Sequence, residues 1–207
     1  MHLPDGILPI EQSIIYWCIS VIVIAVFLYK FSRNVEKDKT IVSIALFSVF
    51  FVVVTSLSIP SPFGVPMHFF LIPLVAILLG PFNGSIVSFF GLLVQSLALN
   101  MGGIVCFGAN FLVIGVIVAF ATYGFYYILE DINDKVAIFS ATVIGIIFAT
   151  FGQVFILILS GAMNFNSLLA TLVPFYLFIG IIEGFANIVI IYSIQKIKPE
   201  IMELSKM

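Results

Sequence analysis

Residues 14–31 read Ile14-Ile15-Tyr16-Trp17-Cys18-Ile19-Ser20-Val21-Ile22-Val23-Ile24-Ala25-Val26-Phe27-Leu28-Tyr29-Lys30-Phe31. No charge interrupts the run before Lys30. A helix needs roughly 20 apolar residues to cross the hydrocarbon core of a bilayer, and this stretch meets that length. In lipid every backbone polar group must find a partner inside the protein, which makes a helix the natural reading. Tyr16 and Trp17 stand where aromatic side chains anchor at an interface. The stretch has no basic leader and no small-residue cleavage site, so it is read as a retained span rather than a signal peptide.

The rest of the chain repeats this pattern. Apolar residues make up 62% of its 207 residues and charged residues 9%, against about 25% charged in a soluble domain. Mean hydropathy is +1.29. The fold class is therefore an all-α polytopic membrane protein, and residues 1–207 form a single domain of about seven transmembrane helices in one bundle. Further runs extend from Ile41 to Ile59, from His68 to Gly80-Pro81, and from Ser85 to Leu99. The last three extend from Gly108 to Leu129, from Val136 to Leu159, and from Leu168 to Ile194. The run after His68 is short, and is either a short helix inside the bundle or a re-entrant segment. It follows a breaker-rich loop, Pro60 to Pro66, whose prolines cannot continue a helix.

Basic residues orient the bundle. Lys30, Arg33, Lys37 and Lys39 share the first loop, and Lys135, Lys196, Lys198 and Lys206 fall on the same side when seven spans alternate. Those are all eight Lys and Arg residues, so that side is cytoplasmic, the N-terminus lies outside and the C-terminus inside. The chain is a multi-pass protein of the cytoplasmic membrane whose surroundings are the lipid bilayer. A net charge of −2 gives no reason to expect a nucleic-acid partner.

Residues 1–13 form an external segment that opens Met1-His2-Leu3-Pro4-Asp5-Gly6. Met1 offers a terminal amine, and His2 offers a backbone amide and an imidazole. Amine and amide nitrogens close a five-membered chelate ring around a metal, and the amide and His2 Nδ1 close a six-membered one. Three coplanar nitrogens suit Ni²⁺ or Cu²⁺. A fourth ligand is needed, and His68 is the other of the two histidines. The alternation of spans puts both histidines on the outer face. Asp5, Met67 and Asn110 are candidates for support around them, Met67 as a soft neighbour and Asn110 as a residue that orients a ligand. Cys18 and Cys106 match no metal spacing and read as small apolar fillers.

Glu183 is the acidic residue inside a span. A carboxylate there is costly unless it is paired or hydrogen-bonded. It reads either as helix-to-helix glue beside Gly180 and Gly184 or as part of transport, in the middle to inner part of the last span and away from the outer site. Gln95, Asn100, Asn110, Gln153 and Asn187 are further candidates for interhelical hydrogen bonds. No P-loop, HExxH or GxSxG sequence occurs, so the chain is read as a non-enzyme without its own nucleotide site.

These residues resemble the substrate-binding membrane component of energy-coupling-factor transporters for cobalt and nickel, the CbiM/NikM family. The resemblance rests on Met1-His2-Leu3-Pro4-Asp5-Gly6, on Ile59-Pro60 through His68, and on Gly80-Pro81. It rests also on Gln95 followed by Gly102-Gly103 and Gly108-Ala109-Asn110, and on Ile182-Glu183-Gly184 and Lys198-Pro199-Glu200. It implies an N-terminal segment that plugs into a seven-helix bundle and a metal held by Met1, His2 and His68. It also implies a membrane scaffold (T) subunit, cytoplasmic ATPase (A) subunits and a small accessory membrane subunit as partners. The transported Co²⁺ or Ni²⁺ is cargo, with no permanent cofactor. Two departures stand out: Val65-Pro66-Met67 precede His68 where the family has small or polar residues, and Tyr176 stands where many relatives carry a histidine. Cobalt supply for cobalamin synthesis is the leading expectation. Nickel uptake for nickel enzymes and a vitamin-binding component of the same transporter class are the alternatives.

Overall fold

The computed structural model describes residues 2–33, 37–61 and 67–197. Met1, with the amine assigned to it, most of the proline loop, Lys198 and Lys206 lie outside the described residues. The described chain forms helices α1 (Ile10–Ser32), α2 (Lys37–Ser56), α3 (Ile72–Leu79), α4 (Pro81–Ala98), α5 (Phe107–Leu129), α6 (Asp134–Leu159) and α7 (Phe165–Ile197). Six are long and apolar enough to cross a membrane, and α3 is the exception.

The short helix α3 is the centre of the bundle. Every side chain from Ile72 to Leu79 is buried, and the helix packs on α4, α5, α6 and α7. Pro73 is tolerated in its first turn, where an amide proton would have no helical partner. Gly84 of α4 lies against the backbone of Ala76, so the two helices approach as closely as small residues permit. Gly80 joins them at φ +81°, a conformation open to glycine at little cost.

The run from Met67 to Gly80 resolves into two parts: Met67 to Leu71 is non-helical, and α3 follows. Helix of this length rises ~12 Å and the non-helical part reaches at most ~17 Å, so together they approach the ~30 Å hydrocarbon core. Non-helical backbone at membrane depth is tolerated where protein buries it, and here Phe70 and Leu71 are buried with their amides bonded to Glu183. The segment starts beside the outer end of α2, where Met67 exchanges two backbone hydrogen bonds with Ile59 at 2.9 and 3.0 Å. It ends beside the cytoplasmic end of α1, where the Lys30 ammonium sits 3.4 Å over the ring of Phe82. It therefore carries the chain across, and the alternation of seven crossings holds. A reporter that works only in the cytoplasm, fused after Met207, is expected to be active. Activity only on the outer side would reverse the orientation.

Several boundaries differ from the hydropathy reading: α1 begins at Ile10, α4 at Pro81, where the sequence suggested a turn, and α7 at Phe165. Helix α2 begins at Lys37 and stops at Ser56, because Lys37 to Thr40 extend it past the apolar run, and Leu57 to Ile59 instead leave it to pair with Met67. Helix α5 is continuous but switches to π-helical bonding from Phe111 to Ile117. A π-helical turn inside an α-helix often accompanies a functional site, and this one begins right after Asn110.

Candidate metal site

The N-terminal segment lies against the bundle and is held there by hydrogen bonds. Leu3 is buried, its amide donates to Asn110 Oδ1 at 2.7 Å, and its carbonyl accepts from Asn110 Nδ2 at 3.0 Å and from the Gly103 amide at 2.9 Å. The Asp5 carboxylate accepts from three successive amides, those of Ile104, Val105 and Cys106, at 3.1, 2.8 and 3.1 Å. Those amides lead into the N-terminus of α5, where the helix dipole favours a negative charge. Gly103 leaves the room this needs, since a Cβ there would overlap the Asp5 carboxylate and backbone. Burial pushes the Cys106 thiol pKa up, and the thiol donates to the Pro4 carbonyl at 3.2 Å.

So held, His2 reaches a small cavity that it lines with Phe51, Thr55, His68, Phe69, Phe70 and Ile114. The two histidines, 66 positions apart in sequence, share one site. The cavity offers ≈ 20 Å³ to the centre of a water-sized sphere, which is room for one water or one ion.

The hydrogen bonds fix which nitrogen of each imidazole is free. Thr55 and Ser56 spend their hydroxyl protons on the carbonyls of Phe51 and Val52, both at 2.6 Å. Their oxygens then accept from Gln95 Nε2, at 2.7 and 3.4 Å. This turns the Gln95 carbonyl oxygen towards His2 Nε2, 3.2 Å away. A carbonyl only accepts, so His2 Nε2 carries the proton and Nδ1 keeps its lone pair. His68 Nδ1 lies 3.1 Å from the Leu57 carbonyl, so it is protonated and Nε2 is free. Each ring thus keeps one unprotonated nitrogen, oriented by a partner on the other, as metal-binding imidazoles require.

Burial, first of all, lowers the His2 pKa from 6.5 to about 3; the positive charge of the chain terminus pushes the same way, the Gln95 bond opposes it, and His68 adds the smallest push downward. His2 is therefore neutral at physiological pH. An undocked segment would titrate near 6.5 and a docked one near 3. Docking is therefore at full strength above the higher value and weakens as pH falls towards the lower.

The site residues read from the sequence divide into two groups. His2 and His68 meet at the cavity. Asp5 and Asn110 do not reach it, and hold the segment that carries His2. Met67 is buried, but it is the backbone of this residue that contributes, through the pairing with Ile59, and its side chain does not line the cavity. Gln95 has a place that sequence reasoning missed, at the centre of the network behind His2. Its position at the outer end of α4, on the face shared with both histidines, is the signal that points there. Glu183 is also placed differently from the sequence expectation. Both its oxygens accept amides of the Phe69-Phe70-Leu71 stretch that walls the cavity, so it lies under the site and not away from it.

Comparison with known proteins follows the same lines. The model of the family described as "CbiM: Cobalt uptake substrate-specific transmembrane region" matches residues 2–201. A cobalt transport protein of Clostridium tetani is 31% identical over 204 residues, covering 98% of this chain and 79% of that protein. A putative fused nickel transport protein of Archaeoglobus fulgidus is 28% identical, covering 98% of this chain and 68% of that protein. The fold matches the crystal structure of a truncated transition-metal transporter with a TM-score of 0.85 at 24% identity, over 95% of this chain and 99% of that one.

Proposed function

The chain belongs to the CbiM family of cobalt-uptake substrate-specific transmembrane regions, and from that premise we propose that it captures Co²⁺ or Ni²⁺ with Met1, His2 and His68. It is the substrate-specific component of a cobalt or nickel uptake transporter in the cell membrane. The proposed ligands are the Met1 amine, the His2 amide and Nδ1, and His68 Nε2. Asp5 and Asn110 seat the segment, and Gln95 orients His2.

One observation carries this reading: two imidazoles line one ion-sized cavity, each with its spare nitrogen left unprotonated by its hydrogen-bond partner. The same cavity speaks against the vitamin-binding alternative, because small-molecule pockets enclose several hundred Å³. The cargo leaves chemically unchanged, and the chain carries no P-loop, so we assign ATP hydrolysis to cytoplasmic ATPase subunits. We place it with those, a membrane scaffold subunit and a small accessory membrane subunit. Cobalt supply for cobalamin synthesis is the preferred role. Nickel remains the second reading, because the proposed nitrogen set is planar and suits Ni²⁺.

The test is uptake of labelled Co²⁺ and Ni²⁺ by cells expressing the assembled transporter. The His2→Ala and His68→Ala variants are expected to reach the membrane folded and to lose uptake. Normal uptake by either one would remove that histidine from the site.

A further inference from the structure

We infer that Glu183 is a positioning residue for the metal site, holding the strap that carries His68 through the amides of Phe70 and Leu71. The inference rests on the metal-capture reading and goes beyond it, to a residue on a different helix that touches neither histidine.

The strap runs from Met67 to Leu71 and is tied at both ends. At its outer end are the paired backbones of Met67 and Ile59. At its inner end Glu183 Oε2 accepts the Phe70 amide at 2.7 Å and Oε1 the Leu71 amide at 2.8 Å. Glu183 is 2% exposed. The two consecutive amides meet one carboxylate at a turn in which Leu71 adopts φ 60°, ψ −23°, a left-handed conformation that is rare for a side chain branched beyond Cβ. Successive amides in such a turn form a concave anion seat, and this one lies at the N-terminus of α3, the end where the helix dipole favours a negative charge. Strain of this kind persists where surrounding contacts over-determine it.

Between the two ties lie His68 and Phe69, and Phe69 and Phe70 both wall the cavity. The position of the carboxylate is itself fixed. Asn187, one turn further along α7, donates to Thr142 of α6 at 3.0 Å. Gly184 lies tight against the ring of Phe139, and the Phe70 ring packs edge-on against Tyr176 at 5.8 Å. Packing of α7 on α6 thus sets where Glu183 stands, Glu183 sets the strap, and the strap sets where His68 Nε2 points. Glue between helices would join side chain to side chain, whereas both oxygens here go to the backbone of the strap.

Glu183→Gln tests this. A glutamine keeps one accepting oxygen but turns an NH₂ donor towards the other amide. Purified full-length protein is titrated with Ni²⁺ while its visible absorption band is recorded. Trp17, the one tryptophan, stacks on Phe107 and donates to the Ile104 carbonyl, so its fluorescence reports the seat of the N-terminal segment. The expected result is roughly 10- to 100-fold weaker Ni²⁺ binding, a band shifted to that of His68→Ala, and unchanged Trp17 emission. In the His68→Ala background, Glu183→Gln is expected to cost nothing more. Wild-type affinity and band in Glu183→Gln would overturn the inference, as would a loss that persists in the double variant. Glu183→Asp, which keeps the charge with a shorter reach, is carried through the same cycle in case the glutamine variant does not fold, and the same two outcomes decide it. If His68→Ala itself binds Ni²⁺ as the wild type does, the metal-capture reading fails and not the link from Glu183 to the strap.

Discussion

An alanine inserted between Met1 and His2 is expected to abolish uptake, although both histidines remain in the chain. The fused rings need the amine of the residue just before the histidine. With the histidine in third place, the new terminus chelates through its amine, two amides and the imidazole. That set fills all four planar positions and leaves none for His68. The insertion also pushes the first residues outward, because Leu3 and Asp5 stay held by Asn110 and by the amides of Ile104 to Cys106. Ni²⁺ that still binds would be bound by the peptide end alone, without His68. The measurement is a titration of purified wild-type and insertion proteins, each with and without His68→Ala. In the wild type the affinity should depend on His68, and in the insertion variant it should not. Acetylation of Met1 should weaken binding as well, since it removes an amine whose reference pKa is roughly 7.7–8.0. An insertion variant that transports normally and still needs His68 would show that the terminal amine is not a ligand.

The long helices were legible because their signal is bulk: apolar runs of sufficient length, and basic residues confined to one side. That same signal placed both histidines on one face. It could not describe the strap, because Met67 to Leu71 are as apolar as a helix and nothing in their composition marks the non-helical path. For the same reason hydropathy alone places Glu183 too far from the site. A regular helix through Phe70 would have kept its amides occupied, whereas the broken one exposes two amides in mid-membrane and a carboxylate meets them. Gln95 was visible as a polar residue in a span, but its partner was not. The orientation of its amide depends on the hydroxyls of Thr55 and Ser56, and those depend on carbonyls one turn back in α2. Chains of hydrogen bonds of that kind have no period and no motif. The π-helical turn after Asn110 was likewise invisible, since it changes bonding without changing hydropathy.

Unseating the N-terminal segment is expected to cost as much function as removing a ligand. The segment is not part of any helix, so its place depends on few contacts, and Asp5 makes three of them. Hydrogen bonds to a charged acceptor contribute about 1.5–3 kcal/mol each, but these amides lie where water can replace the carboxylate. A total of about 3 kcal/mol for Asp5→Ala is then a fair figure, which corresponds to a little over a hundredfold in docking. Gly103→Ala attacks the same contact from the other side, because its Cβ would occupy the space of the Asp5 carboxylate and amide. Neither change touches His2, His68 or the strap. Both variants should therefore keep the bundle and lose the capture of metal, with Trp17 emission altered, since the loop from Ile104 to Phe107 that contacts Trp17 is the one Asp5 holds. Acid should act in the same direction. Below pH 6.5 the undocked His2 takes up a proton that the docked ring resists down to about 3, so the wild type should shift towards the emission of Asp5→Ala as pH falls through that window. Wild-type uptake by Asp5→Ala, with emission unchanged, would mean that the Asn110 clamp on Leu3 seats the segment alone.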